Sequence, residues 1–401
     1  MANPQSSDIP PRVHRLKAQM VAHSLDAVIC MKPESTFYLS GFNPIIYSEP
    51  IFVILTPHLD PILLVHVLRG KHAEASTWTP NLFLYGTWSN ITTLAPTWPA
   101  ALTTLLGDGN SKRIGVEQEF LPVTQFHQLV QALPTAQLAD CTALIHQCRE
   151  LKDADEIASA RIAAQLADRG MEAAVAALQL QGATERDVVL ASMRAMHEDW
   201  AAHYPDVEIC DFGSLEGGYT SGLTAWVLSG PRQSFGCDNP VQRVPQAGET
   251  VSVFVWTVAN GMHAELERTV CIGSVAASEK EALHATLDIR GEIALRLTPG
   301  TAVGELYETA KKGYDRRGYG EYLPGRIGHS IGLGPHELFS IDARSDRTLL
   351  PGMIVSLEPH IHIDGVASTQ YSDTILITED GHECLTRFPA RVIQVAQAIY
   401  T

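Results

Sequence analysis

From Pro10 to about Cys148 the chain alternates short apolar runs with longer amphipathic stretches. An amphipathic pattern near 12–24 precedes the runs DAVICM (26–31), IFVILTP (51–57), PILLVH (61–66) and RIGVEQE (113–119). Short apolar runs read as strands and longer patterns with helical spacing read as helices, so this part predicts an α/β layer domain with helices over a sheet. Two long helical patterns follow, LKDADEIASARIAAQLADRGMEAAVAALQLQ (151–181) and ERDVVLASMRAMHEDW (185–200). The second opens on Thr184-Glu185-Arg186-Asp187, a capping-box pattern. Their Ala-rich faces suit close packing on a sheet. Beyond residue 205 the chain turns strand-rich, with TSGLTAWVLSG, TVSVFVWTV, MIVSLEPHIHI and DTILITED, interrupted by helices expected around 278–297 and 301–318.

At 401 residues the chain exceeds the usual size of one core, and the pattern change places a boundary near residue 150, giving domains 1–150 and 151–401. Hydrophobic residues make up 45% and charged residues 18%, the composition of a packed soluble protein rather than a disordered one. A formal charge of −16 argues against nucleic acid and anionic membranes as partners, because both repel an acidic surface. Seven scattered cysteines without CxxC spacing suggest neither a disulfide framework nor a zinc cluster, and a reducing compartment fits them best. With no apolar leader at MANPQSSDIPPRVHRL and no long apolar run, the expectation is a cytoplasmic protein.

Candidate chemistry concentrates in the C-terminal half, at Phe254, Glu265, His329, Glu358 and Ser372. They sit in GETVSVF (248–254), HAELERT (263–269), GRIGHSIGLGPHE (325–337), PGMIVSLEP (351–359) and QYSDTILITEDG (370–381). Small residues around His329 let it approach a ligand closely, and its near-neutral pKa suits proton transfer. His336 follows in the same motif. Carboxylates are seldom buried unless compensated, so Glu265 and Glu358, if brought together, need a cation or a shared proton. Glu358, His360 and His362 alternate along one apolar run, which would place them on one strand face and make a zinc site with His329 conceivable.

These motifs resemble the signature of the creatinase/prolidase/methionine-aminopeptidase family, whose C-terminal domain has the pita-bread fold. The resemblance implies an α/β (α+β) chain, with a creatinase-type N-terminal α/β domain followed by a pita-bread domain whose strands face a curved interior. In the family's metallopeptidases the five positions carry Asp, Asp, His, Glu and Glu and hold two divalent ions. Neither Phe254 nor Ser372 can supply such a carboxylate. HAELERT and Asn239-Pro240-Val241 are similar to creatinase, the family's metal-free branch, although Asp238 stands where creatinase has its catalytic His.

The resemblance therefore implies a metal-independent hydrolase of a C–N bond (guanidine, amidine or amide) in a small cationic or zwitterionic metabolite, without cofactor. His329 would be its acid/base and Glu265 and Glu358 would hold the cationic nitrogens. His336, Asp238, Phe254, Ser372 and Tyr371 would contact substrate. Asp238 reads equally well as the cap of its turn. The segment STFYLSGFNPIIYSEP (35–50) is similar to one that in creatinase enters the neighbouring subunit's pocket, which implies a homodimer with Tyr47 and Glu49 reaching the partner's substrate. Two alternatives stand beside this reading. One is an Xaa-Pro-type metallopeptidase keeping one ion on Glu265, His329 and Glu358, and the other is a non-catalytic pita-bread binding protein.

Overall fold

A computed structural model describes residues 9–88, 90–107, 112–212 and 221–396. The chain divides into two compact units, one of residues 1–149 with 210–220 and one of residues 150–209 with 221–401.

The first unit is built on a six-stranded mixed sheet in the order β4-β3-β2-β1-β5-β6. Its strands are β1 (Ala27–Cys30), β2 (Phe52–Leu55), β3 (Ile62–His66), β4 (Asn81–Tyr85), β5 (Arg113–Val116) and β6 (Gln137–Asp140). β1 and β2 are buried along their whole length, as their unbroken apolar runs require of strands covered on both faces. Covering helices are α1 (Pro11–Ala22), α2 (Pro33–Ser40), α3 (Gly70–Ser76), α4 (Trp98–Leu106), α5 (Val123–Ala132) and α6 (Thr142–Glu150), the last ending one residue into the second unit.

The second unit opens with α7 (Ala154–Ala177) and α8 (Glu185–His203). Both begin on capping boxes, Asp153 with Glu156 and Thr184 with Asp187, which satisfy backbone N–H groups the first turn leaves without helical partners. The eight-stranded sheet runs β10-β11-β14-β9-β8-β7, with β15 on β14 and β16 on β9. These strands are β7 (Leu223–Ser229), β8 (Thr250–Ala259), β9 (Met262–Ile272), β10 (Gly328–Ser330), β11 (Ile354–Leu357), β14 (Ser372–Ile377), β15 (His382–Cys384) and β16 (Ile393–Val395). β12 (His360–Ile363) and β13 (Ala367–Gln370) form a separate two-stranded sheet. Helices α9 (Ala277–Ala294) and α10 (Val303–Arg316) complete the unit.

Strand alternation sorts the large sheet into two faces. Ala225, Val227, Val253, Val255 and Leu266 pack against the Ala-rich face of α7 and against α8. Val355, Leu357, Ile375 and Ile377 pack against α9 and α10. The other face therefore carries Trp226, Phe254, Trp256, Glu265, Glu267, Ser356 and Ser372, and it is here that polar groups converge.

MIVSLEPHIHI does not form the one strand that its apolar pattern predicts. Pro359 has no N–H to give a ladder, so β11 ends at Leu357 and β12 starts in another sheet. His360 Nδ1 turns back to the Glu358 carbonyl and His362 lies against Ser368 and Asp364, so the Glu-x-His-x-His face does not exist.

Arg268 locks β9 to its neighbours from behind the polar face. Fully buried, it donates to the carbonyls of Glu267, Ser372, Phe388 and Pro389 and to Asp373 Oδ1, whose second oxygen accepts from Arg290. Arg268→Met strands four carbonyls and half of a buried ion pair. It is expected to destabilise the protein by about 3–5 kcal/mol in urea unfolding, and a loss below about 1 kcal/mol would contradict this role.

Candidate metal centre

Antiparallel register assembles the centre. β9 pairs with β8 so that Glu265 faces Trp256 and Glu267 faces Phe254, while β14 places Ser372 opposite Glu267 on the other side. β10 and β11 bring His329 beside Ser356. Glu358 follows β11 directly and enters the same space.

Glu265, His329 and Glu358 each offer one ligand atom, and the three atoms lie within 4.8 Å of one another. Glu265 Oε2 stands 3.3 Å and Glu358 Oε2 3.8 Å from His329 Nε2. Glu265 Oε2 and His329 Nε2 are both buried without a conventional hydrogen-bond partner. The other oxygen of Glu265 is occupied, since Oε1 accepts from the hydroxyls of Ser356 (3.0 Å) and Ser372, which are themselves 2.7 Å apart. Glu358 Oε1 is held by Arg326 Nε at 3.2 Å. Each carboxylate thus has one oxygen tied to the protein and one turned toward His329.

Electrostatics follow from burial and crowding. Burial pushes the Glu265 carboxyl up, but His329 and the two serine hydroxyls outweigh it and hold the group below its ordinary value. Glu358 is pushed up to about 7 by burial and by the Glu265 charge, against the pull of His329 and Arg326. Burial lowers His329, yet Glu265 and Glu358 more than restore it and the net shift is upward. Two carboxylates and one imidazole concentrated in a poorly hydrated space form a nitrogen/oxygen donor set that suits one divalent ion, with coordination positions left for substrate or water. Glu265 Oε2 and His329 Nε2 meet only each other and Glu358 across 3.3–3.8 Å, short of well-formed hydrogen bonds, and such buried polar atoms fit an ion. A second ion does not fit, for Phe254 and Ser372 bring no carboxylate.

An aromatic surface leads to the triad. Phe254 stacks on Trp226 with centroids 5.6 Å apart, Trp226 meets Trp256 at 5.6 Å, Trp256 meets His336 at 5.6 Å, and His336 lies 4.3 Å from His329. The loop carrying His336 is clamped by a buried Lys152–Glu337 ion pair at 3.0 Å, and the His263 backbone N–H donates to the Gly332 carbonyl. His336 is solvent-exposed on one side. Burial of the rest of its ring, with His329 and Arg326 adjacent, lowers its pKa and keeps it neutral.

Of the residues expected at the site, Glu265, His329, Glu358, His336, Phe254 and Ser372 come together. Tyr371 does not: one residue before Ser372 it faces the opposite way, packing with Cys271, Val275 and Leu283 and donating to the Arg391 carbonyl. Asp238 is exposed, accepts from its neighbour Asn239 N–H and pairs with Arg232, the contacts of a turn. Tyr47 and Glu49 belong to the N-terminal unit, where Tyr47 is buried with its hydroxyl on Asn43 and Glu49 is exposed.

The match to the family model described as metallopeptidase family M24 spans residues 158–379, more than half of the chain. The chain belongs to metallopeptidase family M24. Residues 12–151 match the creatinase/prolidase N-terminal domain ahead of the M24 region. A Staphylococcus aureus (strain MSSA476) protein named an uncharacterized peptidase is 24% identical over 377 residues, covering 94% of this chain and 99% of its own. The Xaa-Pro dipeptidase from Bacillus anthracis superposes with a TM-score of 0.81 at 20% identity, over 97% of this chain and 100% of that one. The prolidase from Pyrococcus horikoshii OT3 gives 0.78 at 21% identity, over 95% and 99%. The M24 match and these likenesses establish the two-part α/β and pita-bread architecture. They overturn the metal-free, non-peptide reading, as does a ligand triad that still converges after two of five ligands are gone. The expectations that no metal binds and that the acids hold a cationic metabolite in its place fall with it. Among the described residues no helix is long and apolar enough to cross a membrane.

Glu267, Arg326, Trp226 and Ser356 are site residues that motif reading passed over. Glu267 was within reach, since period two from Glu265 puts it on the same face. It is 4% exposed, and among the described residues its carboxylate contacts the Gln370 amide at 2.5 Å and no cation. Burial, then the charges of Glu265 and Glu358, raise it well above its ordinary value. A group raised on folding contributes fully below its unfolded pKa, near 4.5, and loses that contribution as pH climbs through the folded value. Glu267→Gln keeps an acceptor for Gln370 and removes this titration. Relative to the natural chain, the metal-free variant should therefore gain melting temperature across the interval in which pH rises above the unfolded pKa, near 4.5. A calorimetric difference that stays constant or shrinks over that interval would refute the assignment.

Proposed function

We propose that this protein is a metal-dependent peptidase of the Xaa-Pro type that works with one divalent ion held by Glu265, His329 and Glu358. The observation that carries the reading is the convergence of these three groups, with Oε2 of Glu265 and Nε2 of His329 buried and facing each other at 3.3 Å inside the sheet. M24 membership supports hydrolysis of a peptide bond, and the solved structures it superposes on include ones named prolidase and Xaa-Pro dipeptidase. When bound, such an ion would polarise a substrate carbonyl and make water a better nucleophile at neutral pH.

The protein's own groups divide the remaining work. Ser356 and Ser372 hold Glu265 Oε1, so Glu265 presents a single oxygen rather than a bridge between two ions. Arg326 aims Glu358 in the same way from Oε1. Because a guanidinium can only donate, His336 Nε2 must accept from Arg326, which leaves the His336 proton on Nδ1 as a donor for substrate. Trp226, Phe254 and Trp256 give an apolar wall suited to a compact, rigid ring such as that of proline. The reading includes a homodimer; with Tyr47 buried against Asn43, Glu49 is the exposed member of that pair available to a partner subunit.

Protein stripped with chelator and reloaded with Mn(II), Co(II) or Zn(II) is expected to take up close to one ion per chain and to cleave Xaa-Pro peptides only when loaded. Glu265→Gln and His329→Ala should each lower kcat/KM by more than the ~10–100-fold typical of an outer-shell partner and weaken metal uptake in parallel. Two ions per chain by elemental analysis, or turnover indifferent to chelator, would sink the proposal.

A further inference from the structure

Among the described residues of the second unit, two carboxylates pair with a lysine or arginine that is itself buried, Asp373 with Arg268 and Glu337 with Lys152. Arg268 places all five of its side-chain N–H groups on carbonyls or on Asp373. Lys152 is bonded more sparsely. Its ammonium has three protons to place, and Nζ has Glu337 Oε2 at 3.0 Å and the Glu150 carbonyl at a long 3.4 Å. A buried pair of this kind regains its desolvation cost poorly, and apolar side chains of like volume are often as stable in its place. Its value must therefore be sought in what it holds still.

Lys152 stands just ahead of Asp153, whose capping box starts α7, and α7 packs on the strands behind Glu265. The lysine backbone N–H donates to the Gly352 carbonyl at 3.0 Å, on the turn that leads into β11 and Glu358. At the other end of the pair, Glu337 directly follows His336. Its N–H donates to the Ser330 carbonyl at 2.9 Å, which His329 Nδ1 also meets at 3.2 Å. Between these ends the pair lies against Gly332, where a Cβ would stand 2.5 Å from Glu337 Oε2 and 2.8 Å from Lys152 Cε. The Gly332 carbonyl in turn accepts from the His263 N–H of β9 at 2.8 Å. One buried bond thus joins the head of α7, the approach to β11 and the loop between His329 and His336.

His336 itself is held by softer contacts. Its ring lies 4.3 Å from His329 and 5.6 Å from Trp256, and Nε2 accepts from Arg326, whose side chain is 42% exposed. Ring contacts leave sliding and rotation open, so the backbone beside the ring has to supply the precision. Resting on the peptidase reading above, we propose that Lys152 is a positioning residue, which through Glu337 fixes the backbone at His336 so that its ring meets substrate beside the ion, while adding little to stability or to metal uptake. A shift of about 1 Å at a group that orients substrate is enough to lower turnover on the order of 100-fold.

The test replaces both charges at once, since removing Lys152 alone would leave the Glu337 carboxylate buried without its partner. In Lys152→Met/Glu337→Leu, the urea midpoint and the metal bound per chain should match the natural protein, while kcat/KM of the loaded enzyme on an Xaa-Pro peptide falls on the order of 100-fold. Lys152→Gln/Glu337→Gln, which keeps a hydrogen bond without charge, should lie between. A crystal structure of the apolar variant should show the His336 ring displaced from its place beside His329 and Trp256. A loss of turnover below about tenfold, or a ring that stays in place, denies the positioning role. Failure of both double variants to fold makes the pair a stability element, and metal uptake that falls in step with turnover places its effect on the triad; either overturns the assignment. Absence of turnover by the natural protein on every peptide, with His336 displaced in the apolar variant, would remove the peptidase reading and leave Lys152 as the residue that sets this loop.

Discussion

Three carboxyl groups, Glu265, Glu267 and Glu358, share the inner face of one sheet with a single histidine, and each makes the others more costly to ionise. The local arrangement is a set of answers to that crowding. Glu265 is kept charged by His329 and two serine hydroxyls. Glu358 has an arginine on one oxygen, and Glu267 meets an amide and is pushed toward its neutral form. A divalent ion among Glu265, His329 and Glu358 would remove most of the remaining repulsion, so the centre is most at ease when loaded.

Counting charges also explains why the loss of two ligands need not mean the loss of metal chemistry. Phe254 and Ser372 bring no carboxylate, yet Glu265, His329 and Glu358 still offer ligand atoms within 4.8 Å of one another. The serine at 372 instead donates to Glu265 Oε1, leaving Oε2 to face His329. A reading that treats five ligands as an indivisible unit misses this, because it counts residues instead of asking which donor atoms still converge.

Much of the fold was legible because its periodicities are strong. The long helices at 154–177 and 185–203 announce themselves by Ala-rich faces and capping boxes, and β8 by an unbroken apolar run. Glu265, His329 and Glu358 were legible from motif resemblance. Arg326 carried no signal, for an arginine in a loop is usually solvated, and its value comes from contacts with Glu358 and His336 that only folding creates. Pro359 was visible, yet the apolar pattern across it argued for one strand and its missing N–H argued for two, and the backbone obeyed the proline. Tyr371 shows the reverse error, for adjacency to Ser372 in a strand guarantees the opposite face.

The strand order has a consequence for how the protein reaches its working state. β14 lies between β9 and β11, so the segment that supplies Glu265 and the one that supplies His329 and Glu358 are not neighbours until residues 372–377 have slotted between them. Non-local pairing of this kind is slow, since the entropy of closing long loops must be met before the contacts form. The triad therefore closes only when that strand has joined the two others.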